Sequence, residues 1–203
     1  IYFHNDPLSM KGSKSSTERI NLLNKVEKII FVSEWVQKRF FIDLDQRLLN
    51  KTEVVYPSIH KQNKLLKKEK KIVFVGKLNP SKGYDIYRDA IIKILNDYPD
   101  WKAYSIGDER RNKPTINHKN HIELGYLSHK EVLKFLCKTE IAVVPSRWEE
   151  PFGRTSLEAS SRGCATIISN RGGLPETSDY CIILKKLDYK NLYLEIKKLI
   201  TTP

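Results

Sequence analysis

Two hydrophobic rhythms alternate along this chain: short apolar runs that stop at Gly or Pro, and longer stretches whose apolar residues return every three or four positions. The alternation is most regular after residue 70. KIVFVG at 71–76 predicts a strand, and 83–98 predicts a helix with Ile86, Ala90, Ile94 and Leu95 on its buried side. WKAYSIG at 101–107 and HIELG at 121–125 predict two more strands; Ser128 and Glu131 form a capping box before the helical EVLKFLCK. The run 141–144 stops at Pro145, a helix starts near Arg154 and ends at Gly163, and another strand follows. CIIL at 181–184 closes the series, and Asp188 caps a last helix whose Leu192, Ile196, Leu199 and Ile200 face inward. Six strands alternating with helices predict an α/β, Rossmann-like parallel sheet over 71–203, with right-handed crossovers and helices on both faces.

The first 60 residues repeat the rhythm less completely. Residues 1–9 read as a strand end breaking into a polar turn at His4, Asn5, Asp6 and Pro7, and a helix is expected from the flexible 12–19 to about Lys28. KIIFVS at 28–33 and EVVYPS at 53–58 predict strands. Between them Ser33 is placed to cap a helix carrying Trp35, Val36 and Phe40 on one face. This is a partial second sheet, joined to the larger one by the lysine-rich KQNKLLKKEK at 61–70, which reads as a solvated linker.

Composition narrows the classes. With 203 residues, 40% of them hydrophobic, the chain can bury one good core and a smaller piece. No apolar run approaches a membrane span and no secretory leader pattern opens the sequence, so a cytoplasmic protein is expected. Three cysteines without C-x-x-C spacing read as small core hydrophobes. The net charge of +12 calls for an acidic partner, but the charge is spread rather than gathered into an aromatic-laced stripe, which argues against nucleic acid. The secondary reading of 61–70, after that of a solvated linker, is that it and its neighbours hold the protein against anionic lipid headgroups.

Candidate chemistry gathers in 141–176, IAVVPSRWEEPFGRTSLEASSRGCATIISNRGGLPE. A strand–loop–helix unit places that loop at the carboxyl end of a buried strand, with the helix amino end pointing into the crevice. Glu150 in the loop and Glu158 inside the helix are suited to accept hydrogen bonds from hydroxyls. The first loop of the domain, GKLNPSKG, is neither a G-x-G-x-x-G fingerprint nor a P-loop; it offers Lys77 and Lys82 to a diphosphate. Asp108 and Glu109 could suggest a metal, but beside Arg110 and Arg111 they read as a solvated loop.

FVGKLNPSKGYD, IELGYLSHKEV, VVPSRWEEPFGRTSLEASSRG and GGLPE, with HNDP, FVSEWV and VVYPS upstream, resemble the family 4 retaining glycosyltransferases of the GT-B architecture over nearly the whole chain. The resemblance implies that residues 1–60 are the end of an amino-terminal, acceptor-binding domain and 71–203 a nucleotide-sugar-binding domain. It places Glu150 on the donor sugar's hydroxyls, with Pro151, Phe152, Gly153 and Arg154 closing round the sugar and leading to the helix amino end. Glu158 would accept from the ribose hydroxyls, and Gly76 and Gly107 would shape the nucleotide site. Lys77, where the family usually has arginine, and Lys82 would stabilise the departing diphosphate, and His4 would lie across the cleft near sugar and acceptor.

The reaction implied is transfer from a UDP-, GDP- or ADP-sugar to a saccharide or lipid-linked acceptor of a bacterial envelope polysaccharide or lipopolysaccharide. It is a same-face substitution needing no metal and no cofactor. Trp35, Phe40 and Phe41 add an aromatic face suited to an acceptor held at a membrane. Such enzymes work between two complete Rossmann domains, so this polypeptide is expected to bind a sugar nucleotide weakly and to transfer nothing by itself. The alternatives are a non-catalytic sugar-nucleotide-binding module, which would need no His4 or Glu150, and a basic nucleic-acid-binding domain, which would be indifferent to both glutamates.

Overall fold

The computed structural model describes residues 1–60, 66–109 and 114–202. Two parallel sheets organise them. The smaller contains β1 (Tyr2–Phe3), β2 (Ile29–Phe31) and β3 (Thr52–Val54), connected by α1 (Ser16–Lys25) and α2 (Glu34–Phe40). Ser15 and Glu18 form a capping box on α1, and Ser33 caps α2 as its sequence position predicts. At the centre of this sheet's core Phe3 stacks on Phe31, and Phe40 packs edge-on to Phe3 and tilted against Phe31.

The larger sheet contains β4 (Glu69–Val75), β5 (Lys102–Ile106), β6 (His121–Gly125), β7 (Thr139–Val144), β8 (Ala165–Ile168) and β9 (Ile182–Ile183). Helices α3 (Tyr84–Asp97), α4 (His129–Leu136), α5 (Arg154–Ser161) and α6 (Tyr189–Thr201) connect or follow them. Its order is β6-β5-β4-β7-β8-β9, every pair parallel, which is the doubly wound Rossmann arrangement. Strand parity builds both faces: Ile72, Phe74, Ile141 and Val143 point to the α3 and α6 side, Val73 and Ala142 to the α4 and α5 side. The order reverses between β4 and β7, so a crevice opens at the carboxyl ends of these two strands.

Three expectations are corrected. The linker was expected to run to residue 70, yet Glu69 already pairs with Thr139, while 61–65 lie outside the described residues. Lys68 fixes this junction: its half-buried ammonium donates to Leu136 O (3.2 Å) and Arg162 O (2.6 Å), the carboxyl ends of α4 and α5, where a cation opposes both helix dipoles. Phe40 and Phe41 are buried in the smaller core, because β1 and β2 supply aromatic partners on that face, so they present nothing to a membrane. Glu109 is tied down rather than solvated, accepting from Asn79 Nδ2 at 2.7 Å; Arg110 and Arg111 lie outside the described residues.

A buried polar chain crosses β5, with Tyr84 Oη 3.0 Å from Ser105 Oγ and Ser105 Oγ 2.8 Å from His121 Nε2. Burial holds the His121 pKa below its ordinary 6.5. A depressed folded pKa contributes stability above the unfolded value that is lost as pH falls through the folded one. Urea midpoints are therefore expected to decline below pH about 6.5, and His121→Gln to remove part of that decline. An unchanged acid slope in His121→Gln would contradict the assignment.

Candidate active site

The crevice between β4 and β7 contains a pocket of about 110 Å³, bordered by Gly76, Lys82, Ser146, Glu150, Gly153 and Thr155 among others. Two loops build it. The first, after β4, ends in a short 3-10 turn at Pro80–Lys82 capped by Asn79, which aims Lys82 inward. The second, after β7, is held against the first because Arg147 N and Trp148 N both donate to Ser81 O at 3.0 Å. The Arg147 guanidinium adds paired bonds to Asp85 at 2.6 and 2.7 Å. Inside this frame Lys82 Nζ donates to Glu150 Oε1 at 2.6 Å, and Ser146 Oγ donates to the same oxygen at 2.9 Å.

The GGLPE stretch explains how the second loop closes. Gly172 N donates to Glu149 Oε2 (2.6 Å) and Gly173 N to Glu150 O (2.7 Å). Gly172 has φ +59°, and a Cβ there would stand 2.1 Å from Glu150 O, so only glycine allows this approach. Gly153 starts α5 with no side-chain cap, and Arg154 and Thr155 of the first turn border the pocket, a helix amino end suited to an anion.

Glu158 lies one turn further along α5. Its side chain is 10% exposed, with Oε1 3.0 Å from His129 Nε2 and 3.6 Å from the Arg154 guanidinium. It borders a second pocket of about 270 Å³, shared with His60, His129 and Arg154. Arg154 lines both pockets and so connects the two carboxylate sites.

The other expected residues divide. Lys77 is exposed and does not line the 110 Å³ pocket, although it directly follows Gly76. Gly107 backs onto Gly76, where a Cβ would fall 1.9 Å from Gly76 O, so it shapes the strand ends rather than touching the pocket. Pro151 O accepts from Ser33 Oγ, and the Phe152 ring packs into the smaller sheet's core beside Tyr56. His4 is exposed on the smaller sheet, its ring 4.1 Å from that of Tyr2.

Sequence reasoning missed His129, Ser146 and Glu176. The Glu176 carboxylate accepts from Glu34 N (2.7 Å) and Trp35 N (2.8 Å), and with Ser33 it fastens α2 to the PFG turn. Burial first, then the Glu176 and Glu34 carboxylates, pushes the Tyr56 pKa up to about 12. Glu176→Ala is expected to cost about 1–2 kcal/mol, since two charge-assisted helix-end bonds are lost. Urea unfolding checks this, and an unchanged midpoint would show that the junction is held by packing alone.

The strand order and its crevice define a doubly wound α/β protein of the GT-B kind. Within that class the chain belongs to the glycosyl transferases group 1 family, whose model matches residues 55–198. It is 35% identical over 159 residues to an uncharacterised glycosyltransferase of Methanocaldococcus jannaschii, spanning 74% of this chain and 42% of that protein. It is also 30% identical over 141 residues to an uncharacterised protein of the Klebsiella pneumoniae cps region, spanning 63% of this chain and 38% of that one. The chain thus covers well under half the length of these relatives. Among solved structures, Anabaena HepE in complex with UDP and glucose superposes with TM-score 0.73 at 19% identity, over 99% of this chain and 61% of that one. A Rickettsia africae glycosyltransferase superposes with TM-score 0.74 at 17% identity, over 92% and 57%. These likenesses show the fold. No helix among the described residues is long and apolar enough to cross a membrane.

Proposed function

We propose that the protein is a retaining glycosyltransferase moving a sugar from a nucleoside-diphosphate sugar to an acceptor hydroxyl in bacterial polysaccharide synthesis. The observation that carries this reading is the Lys82–Glu150 contact at the β4/β7 switch point, beside the uncapped amino end of α5, with Glu158 one turn along the same helix. The Lys82 ammonium and the Glu150 carboxylate hold each other. A donor entering between them exchanges that contact for two of its own: diphosphate to Lys82 and the α5 amides, sugar hydroxyl to Glu150.

Glu158 takes the ribose hydroxyls, and Lys77 adds charge from the rim. As the bond from the sugar's anomeric carbon to the diphosphate oxygen breaks, negative charge grows on the diphosphate, where Lys82 and the helix end are already oriented. The acceptor oxygen bonds to the same face of that carbon, and its proton passes to the departing phosphate oxygen. No metal takes part. Residues 1–60 supply the end of the acceptor-binding half, 61–68 the connection and 69–203, from the start of β4, the donor half, with His4 facing the acceptor across the cleft. The cps-region relative and the UDP-bound neighbour support a uridine donor and a polysaccharide product.

Calorimetric titration with UDP, GDP and ADP and their sugar conjugates tests the reading. One nucleotide is expected to bind saturably, and Lys82→Ala to weaken it at least about tenfold. Indifference to Lys82→Ala, or absence of binding by all three nucleotides, would contradict it.

A further inference from the structure

Beside the donor site, α4 borders a groove of about 650 Å³ that the proposed reaction does not use. Its floor is apolar, including Leu127, Leu133 and Phe135, with exposed Leu66 at one side. Its rim is cationic. Lys130, Lys134 and Lys138 follow one another at four-residue spacing, so they form one stripe along α4 and just beyond it. Lys71 enters from β4, its ammonium 5.3 Å from the Phe135 ring centroid, and shares Glu69 with Lys138.

Among the described residues the one carboxylate bordering the groove is Glu131, and it is engaged in the capping box, accepting from Ser128 N at 2.8 Å. Among the described residues Lys130 and Lys134 have no ion-pair partner. A purely solvated lysine face needs no apolar floor, and an apolar protein contact needs no adjacent lysines such as Lys130 and Lys134 without ion-pair partners. Together they match the boundary between headgroups and acyl chains in an anionic bilayer, where ammonium groups meet phosphates while apolar side chains are buried just beneath.

We propose that the α4 face is a docking surface for an anionic phospholipid bilayer. Lys130 and Lys134 contact lipid phosphates, and Leu66 and Leu127 enter the outer acyl region. This surface lies on the donor-binding half and is separate from the aromatic residues of α2, of which Phe40 is buried in the core. Leu133 and Arg162 border both the groove and the pocket at Glu158, so docking would set the donor site close to the membrane plane.

Co-sedimentation of the chain with phosphatidylcholine vesicles, and with vesicles of phosphatidylcholine mixed with phosphatidylglycerol, tests this. Binding is expected only to the mixed vesicles. Lys130→Glu with Lys134→Glu, at exposed helical positions that accept glutamate, is expected to lower the partition coefficient by at least about tenfold. Lys185→Glu with Lys190→Glu makes the same net-charge change on exposed residues elsewhere and should alter it less than about twofold. Leu66→Ser is expected to weaken what binding remains at high salt. Equal losses in the two double variants, no binding to either vesicle, or full displacement by inorganic phosphate at constant ionic strength would each overturn the proposal. Nucleotide affinity should stay at the wild-type value in both double variants, which keeps this result independent of the donor site.

Discussion

Replacing Glu158 with alanine is expected to weaken nucleotide binding roughly 30- to 150-fold while leaving the fold intact. The carboxylate is largely buried and preoriented by His129 and Arg154, so little ordering remains when ribose hydroxyls arrive. Two hydrogen bonds to a charged acceptor contribute about 2–3 kcal/mol together, at about tenfold per 1.4 kcal/mol. The fold is spared because the two partners left behind are solvent-accessible: the side chains of His129 and Arg154 are 54% and 72% exposed. Glu158→Gln, which keeps one acceptor oxygen, should fall between wild type and alanine. Calorimetric dissociation constants and melting curves check both halves. Alanine-variant binding within about threefold of wild type would mean that Glu158 serves α5 and α4, not a ligand.

Gly83→Ala is expected to cost at least about 3 kcal/mol and to lower the melting temperature by roughly 6–12 °C. Two effects combine. Gly83 has φ +74°, a conformation costing an L-residue about 1–2 kcal/mol. A Cβ would also stand 1.9 Å from Pro145 O, backbone that cannot yield without moving Ser146 and Glu150. The variant should therefore lose donor binding even where it remains folded. Gly12→Ala separates the two effects: φ is +88° there, yet nothing lies within 4 Å, so only the backbone cost of about 1 kcal/mol is expected. Equal melting temperatures for the two variants would refute the close approach of the two loops.

Most of the fold was legible because each element satisfies a local rule. The apolar runs of β4 and β7 bury on both faces, as central parallel strands must. Ser128 with Glu131 and Asp188 each make the cap that their spacing predicts. The misses occur where tertiary contacts override local character. Glu69 and Lys70 look like linker, yet extend β4 because Thr139 pairs with Glu69, and Asp100 and Lys138 meet their charges. Tyr84 and Tyr87 are wholly buried despite their hydroxyls, since Ser105 Oγ and Tyr104 O supply partners from β5.

The site was legible in part for the same reason. Glu150, Lys82 and Gly153 belong to loops whose chemistry is written locally, and they border one pocket. His129 meets Glu158 across 29 residues and Glu176 meets Trp35 across 141, distances over which no spacing rule operates. A signal for Glu176 did exist in GGLPE, read as a motif, but its partner on α2 could be found only in three dimensions.

The most direct test of the donor site is amide hydrogen exchange of the chain with and without UDP-glucose. Protection is expected at Gly76 and at Gly153 to Thr155, where the diphosphate would take the α5 amides, with no change at Lys130 to Lys138. Protection confined to other segments, with Gly153 to Thr155 unaffected, would contradict a donor site at the β4/β7 switch point.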